Sequence, residues 1–323
     1  MKISKHRILI TGSGGFVGTW LRRELASRSE EESVKVITAG RSSECDYVVD
    51  IINADQVRDV LRQSQPTAVI HLAAIAAPNQ ARQVPRLAWD VNFNGTMNLA
   101  YAVLAETPDA RFVFAGSSEA YGASFSDSGG LPLDENASLR PMGIYGATKA
   151  AADIMVGQLG YEGLKATRFR PFNHSGPEQT ADYVVSAFAS QIAEIGAGKR
   201  DSVIKVGNLS AYRDFLDVRD VVRAYADAAL LSGDQIDGKV FNLSTGHATQ
   251  ICDLLNQLIE ISGAVVNVQV DPDRMRPPEI DTAAGNNAAV ASALGWAPKI
   301  PLDQTLRDVL SYWSARSNGS GAG

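Results

Sequence analysis

The chain has 323 residues, 45% of them hydrophobic and 20% charged, so it can bury a substantial core and is not intrinsically disordered. Its 30 basic and 36 acidic side chains leave a net charge of −6, which speaks against a nucleic-acid or anionic-membrane surface. Two cysteines, Cys45 and Cys252, exclude a disulfide framework, and His6, His71, His174 and His247 show no metal-ligand spacing. No apolar run approaches the ~18 residues that cross a bilayer, and the apolar run near the start is too short for a signal peptide. A soluble, cytoplasmic protein is expected.

In chain order, short β-branched runs at 8–11, 34–38, 68–72, 111–115 and 164–169 alternate with helical spacing at 16–27, 54–63, 87–105 and 145–159. Strands joined by crossovers of this length predict an α/β fold, a doubly wound parallel sheet of the Rossmann kind covered on both faces. In the second half, strand-like pieces at 202–206, 214–216, 240–243 and 265–270 mix with helical stretches at 184–195, 220–231, 251–261 and 302–313. No composition break separates the halves. A dinucleotide-binding domain is expected over 1–172, receiving further segments near 214–245. A smaller interleaved C-terminal α/β lobe that binds substrate is expected over 173–316, with a proline-rich loop at 271–278 and a disordered tail at 317–323.

The first strand runs into Gly12-Ser13-Gly14-Gly15-Phe16-Val17-Gly18. A strand-to-helix turn needs glycine for tightness, for close backbone approach to a pyrophosphate, and for close helix packing. The helix N-terminus adds unpaired N–H groups and the positive end of a dipole. This turn predicts a dinucleotide held by Gly12, Gly15, Phe16, Val17 and Gly18. After the second strand, Arg41-Ser42-Ser43 stands where an NAD site places an acid. An arginine suits a 2′-phosphate, which favours NADP(H) over NAD(H); a solvent-facing arginine is the bland reading. Asp50-Ile51 has two open readings, an adenine contact and an ordinary strand end.

Tyr145 and Lys149 lie four apart on a predicted helix, hence on one face. An ammonium beside a phenol lowers the phenol's pKa from ~10 toward working pH. Such a tyrosine passes a proton to or from an alcohol or ketone oxygen while hydride moves to or from a nicotinamide. At the carboxyl end of the fourth strand, where doubly wound sheets bind ligands, stands Ser117-Ser118-Glu119. Ser117 is a candidate to bond the reacting oxygen and Glu119 a candidate acid or base, against an ordinary polar turn.

The ordered set Thr11-Gly12-x-x-Gly15-x-x-Gly18, His71-Leu72-Ala73-Ala74, Asn92-x-x-Gly95-Thr96, Ser117-Ser118-Glu119, Tyr145-x-x-x-Lys149 and Arg170-Pro171-Phe172-Asn173 resembles the extended short-chain dehydrogenase/reductase superfamily over nearly the whole chain. The resemblance implies that Ser117, Tyr145 and Lys149 are catalytic, with Lys149 also touching the nicotinamide ribose. It implies cofactor contacts from Leu72, Ala73, Ala74 and Asn92, and homodimers joined through the helices at 87–105 and 145–159.

From Phe172-Asn173-His174-Ser175-Gly176-Pro177 through Asn208, Arg213 and Arg276-Pro277-Pro278-Glu279, the chain resembles the branch acting on GDP-linked 6-deoxyhexoses. That implies substrate contacts from Ser118, Asn173, Asn208, Arg213, Arg276 and Glu279, the arginines suiting a diphosphate. Dehydratases of this branch usually carry Thr-Ser-Glu in place of Ser117-Ser118-Glu119, and an arginine- and serine-rich extension where this chain has only Arg41-Ser42-Ser43. The expectation is NADPH-dependent reduction of the 4-keto group of a GDP-4-keto-6-deoxyhexose, giving a GDP-D-rhamnose-type product. Dehydration of GDP-mannose and nucleotide-sugar epimerisation are the alternatives. The polar loop at 123–141 is expected to cover the site.

Overall fold

The apolar runs of the first half become one parallel sheet in the computed structural model, which describes residues 5–29, 33–271 and 280–319. Its strands are β1 (His6–Thr11), β2 (Val34–Gly40), β3 (Tyr47–Val48), β4 (Ala68–His71), β5 (Arg111–Ala115) and β6 (Ala166–Pro171). The helices between them are α1 (Phe16–Ser27), α2 (Ala54–Ser64), α3 (Pro78–Gln83), α4 (Pro85–Trp89), α5 (Thr96–Glu106), α6 (Ser124–Asp127) and α7 (Ile144–Leu159). Alternate side chains of the strands serve opposite helix layers. Leu9, Val69 and Phe112 pack with Val57, Leu61, Leu99 and Val156, whereas Ile8, Ile10 and Ile70 pack with Leu21, Leu25, Val221 and Tyr225. Burial on both faces is why the strands read as continuous apolar runs.

The second half continues with β7 (Asn173–Ser175), α8 (Val184–Gly196), β8 (Val203–Val206), β9 (Tyr212–Asp217), α9 (Val218–Leu230) and β10 (Val240–Leu243). Then come β11 (Ala248–Gln250), α10 (Ile251–Ser262), β12 (Asn267–Val270), β13 (Thr282–Ala283), α11 (Ala288–Leu294) and α12 (Leu302–Gly319). After α9 packs on α1, β10 joins the main sheet beside β6, giving the order β10-β6-β5-β4-β1-β2-β3. β9 pairs with β7, β11 and β13, and β8 pairs with β12. Val185, Phe188, Ile192, Leu254, Leu258, Leu306 and Val309 form the core of this second unit. None of the described helices is long and apolar enough to cross a membrane.

Three expectations change. The helix predicted over 87–105 is interrupted: α4 stops at Trp89, a π-helical turn spans Asp90–Gly95, and α5 begins at Thr96. Gly95 lets this turn pack closely on Ile51, since a Cβ there would stand 2.7 Å from Ile51 Cγ2. The chain does not fray at 317: α12 runs to Gly319, and the Lys199 ammonium bonds the Ser317 carbonyl. The 123–141 loop lines no part of the site cleft. It is fastened to the 284–286 turn instead, the Leu133 N–H donating to the Ala284 carbonyl at 2.9 Å and the Asn286 N–H to the Leu133 carbonyl at 2.8 Å. The proline-rich stretch beyond Asp271 lies outside the described residues.

Candidate active site

A cleft of about 640 Å³ opens where β1, β2, β4, β5 and β6 end, lined there by Thr11, Gly40, Leu72, Ala115 and Pro171. Gly12, Gly15, Phe16, Val17 and Gly18 line it from the opening turn, and Arg41, Asp50, Ile51, Ala73 and Ala74 line it further along the sheet. Gly12 sits at φ +74°, and a Cβ there would lie 2.7 Å from the Ala73 nitrogen. A Cβ on Gly18 would run into the Gly12 carbonyl. Gly15 caps α1 without a side chain, so the first N–H groups of the helix are left to bond an anion. This turn fits a dinucleotide pyrophosphate.

Beside Arg41, the nearest acid in sequence that bonds the second strand is Asp46, and its carboxylate is committed. It accepts from the Thr38 N–H and hydroxyl at 2.8 Å each, bonds that hold it below the usual carboxylate range. Asp46 does not line the cleft, whereas Arg41 does.

The chemistry-bearing side chains meet at the ends of β5 and α7. Ser117, Ser118, Glu119, Tyr145 and Lys149 line one region of the cleft. Ser117 lies close enough to Tyr145 to favour its phenolate, and the Ser117 hydroxyl accepts from the Glu119 N–H at 3.2 Å. Lys149 Nζ donates to the Ala115 carbonyl at 2.7 Å and lies 5.3 Å from the centre of the Phe114 ring.

The expected lowering of the Tyr145 pKa is not found. Burial pushes the phenol above its ordinary value; nearby Ser117 offsets part of this, and Tyr183 and Glu119 push the same way as burial. Burial also pulls Lys149 down to about 8. Desolvation is the largest cause of both shifts. The protein by itself therefore holds Tyr145 as a neutral acid.

Behind this group runs a buried hydrogen-bond chain. The Thr96 hydroxyl donates to the Asn92 carbonyl at 2.7 Å, so it accepts from His71 Nε2 at 2.8 Å, and His71 Nδ1 accepts from the Thr11 hydroxyl at 2.7 Å. Burial keeps His71 neutral, its pKa lowered to about 3. Asn92 is placed differently from the expected cofactor contact. Its side-chain oxygen accepts from the Ile75 N–H at 2.7 Å and its amide donates to the Thr148 hydroxyl at 3.0 Å, which in turn donates to the Tyr145 carbonyl at 2.8 Å. Asn92 supports the helix that carries Tyr145 and is absent from the cleft wall. Lower on α7, Asp153 is clamped between Arg168 and Arg170, each at 2.9 Å.

Of the expected substrate contacts, Ser118 and Asn173 line the cleft. Asn208 does not: its side-chain oxygen accepts from the Ser210 N–H and hydroxyl at 2.8 and 2.7 Å. Arg213 is also off the wall, donating to the Tyr212 and Asp281 carbonyls at 2.8 and 3.4 Å, yet it lies within electrostatic reach of Glu119. Arg276 and Glu279 fall outside the described residues. The sequence reading missed His174, Gln179 and Tyr183, which line the cleft from β7 and the loop before α8. His174 Nδ1 donates to the Phe172 carbonyl at 3.0 Å, and its ring stacks on Phe16 at 6.4 Å. The family-like run around His174 was the available signal; nothing periodic marks Gln179 or Tyr183.

The family model for GDP-mannose 4,6 dehydratase matches residues 9–309. Over 312 residues, 96% of this chain and 98% of the other, the sequence is 33% identical to GDP-6-deoxy-D-mannose reductase of Pseudomonas aeruginosa. The solved structure of RMD from Pseudomonas aeruginosa complexed with NADPH matches with a TM-score of 0.85 at 33% identity, covering 97% of this chain and 100% of that one. UDP-glucose 4-epimerase of Thermus thermophilus, solved with NAD, matches with a TM-score of 0.80 at 25% identity, over 98% and 100% of the two chains. The whole length of the fold, from the glycine turn to α12, is thus shared with enzymes of nucleotide-sugar chemistry, and the chain belongs to the GDP-mannose 4,6-dehydratase family.

Proposed function

We propose that the chain is an NADPH-dependent reductase of the 4-keto group of a GDP-4-keto-6-deoxyhexose, giving a GDP-D-rhamnose-type product. The observation that carries this reading is the 33% identity, over 96% of the chain, to a GDP-6-deoxy-D-mannose reductase. The electrostatics of the cleft agree, because a reduction needs its tyrosine protonated at the start and burial holds Tyr145 in that form.

When bound, NADPH supplies the hydride for carbon 4. Tyr145 gives its phenolic proton to the ketone oxygen as that oxygen gains charge, and retains it until then. Ser117, which lines the cleft beside the phenol, orients the same oxygen. Lys149 favours the phenolate left behind and is the residue for the nicotinamide ribose. Arg41 takes the 2′-phosphate, which favours NADP(H) over NAD(H). Asn173 and Ser118, both in the cleft wall, contact the sugar, and Arg276 and Glu279 serve the GDP end.

We place the working form as a homodimer. Leu87, Trp89, Tyr101 and Ile154 lie 37–60% exposed on α4, α5 and α7, an apolar face suited to a second copy. A cytoplasmic setting fits the unpaired thiols of Cys45 and Cys252.

One observation favours a second reading: Glu119 stands in the cleft beside Tyr145, where a carboxylate could remove a proton next to a ketone, as a 4,6-dehydration requires. Parallel incubations, one with GDP-4-keto-6-deoxymannose and NADPH and one with GDP-mannose and the coenzyme, separate the two. One NADPH oxidised per sugar reduced supports the reductase. Consumption of GDP-mannose with no net change in coenzyme overturns it in favour of dehydration.

A further inference from the structure

A second phenol, unused in the chemistry above, faces the same cleft from the C-terminal lobe. Tyr183 is the residue immediately before α8, and it lines the cleft together with Ser117, Glu119 and Tyr145. Its backbone is braced on both sides: the N–H donates to the Thr180 carbonyl at 3.3 Å, and the carbonyl accepts from the Ala187 N–H at 2.8 Å. The loop leading to it is tied to α1, where Trp20 Nε1 donates to the Pro177 carbonyl at 3.0 Å and Arg23 pairs with Glu178 at 2.8 Å. Within the loop, Gln179 accepts from the Ser175 hydroxyl at 2.8 Å and donates to the His174 carbonyl at 3.0 Å.

The phenol itself has no hydrogen-bond partner among the described residues. Tyr121 makes a useful contrast, its hydroxyl donating to Asn242 at 2.7 Å and accepting from Arg170 at 3.0 Å. Tyr183 and Tyr145 line the same cleft, and Tyr183 bears electrostatically on Tyr145. A half-buried hydroxyl on a braced loop, with no protein partner, gains most from a ligand oxygen.

We propose that Tyr183 determines stereospecificity: its hydroxyl bonds the hydroxyl on carbon 3 of the hexose and so fixes which face of the ring meets the nicotinamide. This inference rests on the reductase reading of the site. The two flanks of the ketone in a 4-keto-6-deoxyhexose differ in polarity, since carbon 3 carries a hydroxyl and carbon 5 a methyl group. Turning the ring over about the line through carbons 1 and 4 keeps the ketone at Tyr145 but exchanges the flanks. Hydride then arrives on the opposite face and gives the other carbon-4 epimer. In one pose the Tyr183 hydroxyl is paired; in the other it meets a methyl group and stays unpaired. A single mismatch of this kind separates the poses by roughly tenfold to a hundredfold.

Tyr183→Phe removes one oxygen that bonds no described residue, so the fold is retained. With GDP-4-keto-6-deoxymannose and NADPH, the wild type should give one carbon-4 epimer. The variant should show KM for the sugar raised about tenfold or more, the second epimer visible by NMR, and NADPH affinity within about twofold of wild type. A 3-deoxy analogue should cost the wild type a similar factor while leaving the variant indifferent, a comparison whose wild-type arm stands even without the variant. An unchanged KM with a single epimer overturns the inference, as does a 3-deoxy analogue turned over by the wild type as well as the parent sugar. If the wild type oxidises no NADPH at all, the reductase reading itself falls, a result distinct from either.

Discussion

Lys149 carries an amine into a pocket where it is 4% exposed and donates to the Ala115 carbonyl. The fall of its pKa from 10.5 to about 8 corresponds to a penalty of roughly 3 kcal/mol on the charged form. Lys149→Met keeps the length and the apolar stem and removes that penalty. It leaves the Ala115 carbonyl unpaired, at a cost of about 1–2 kcal/mol. The nucleotide-free variant should therefore be more stable than wild type at pH 7 by about 1–2 kcal/mol, seen as a melting temperature higher by roughly 1.5–3 °C. Catalysis should be lost in the same protein, the usual trade between a strained site and stability. The pH dependence has a definite sign. Between about 8 and 10.5 the unfolded chain binds the Lys149 proton and the folded one does not, so wild-type stability gains with pH across that interval. The advantage of the variant is then full below pH 8 and shrinks above it. Calorimetry at pH 7 and pH 9.5 checks both parts. A variant less stable at pH 7, or a difference that stays the same at the two pH values, refutes the assignment of a buried, destabilising ammonium.

Tyr145→Phe should lower kcat by about 10²–10⁴ while NADPH affinity, measured by fluorescence titration, stays within about threefold. Arg41→Ala should weaken NADPH binding by roughly tenfold and leave NADH binding unchanged, because the side chain is assigned to the 2′-phosphate alone; equal losses for both coenzymes contradict that assignment. Asp153→Asn leaves the Arg168 and Arg170 guanidinium groups with no full counter-charge at 2.9 Å, and should cost about 3–5 kcal/mol in denaturant melts.

The doubly wound sheet is legible in the sequence because strands such as Ile8-Leu9-Ile10 and Ala68-Val69-Ile70 are buried on both faces and stand out as unbroken apolar runs. The glycine turn and the Tyr145/Lys149 pair are legible for a similar reason: each is a local pattern whose geometry follows from spacing alone. Asn92 is not, because its orientation depends on a π-helical turn that helical spacing does not reveal. Asn208 and Arg213 spend their side chains on neighbouring turns and carbonyls, choices made by the packing of β9 with β13 and the adjoining loop. Tyr183 and Gln179 come from an aperiodic loop whose path is set by contacts with α1, 155 or more residues distant. Spacing alone sets Lys149 beside Tyr145 and predicts a lowered phenol pKa, opposite to the direction that burial gives. Burial, a property of the folded chain, decides it.

Isotope transfer tests the central claim most directly. NADPH carrying deuterium at carbon 4 of the nicotinamide, prepared in both stereochemical forms, is reacted with GDP-4-keto-6-deoxymannose and the sugar is read by NMR and mass spectrometry. One of the two coenzymes should place a single deuterium on carbon 4 of the hexose, with one coenzyme oxidised per product. Sugar converted without deuterium from either form, and with the coenzyme pool unchanged, would contradict the account.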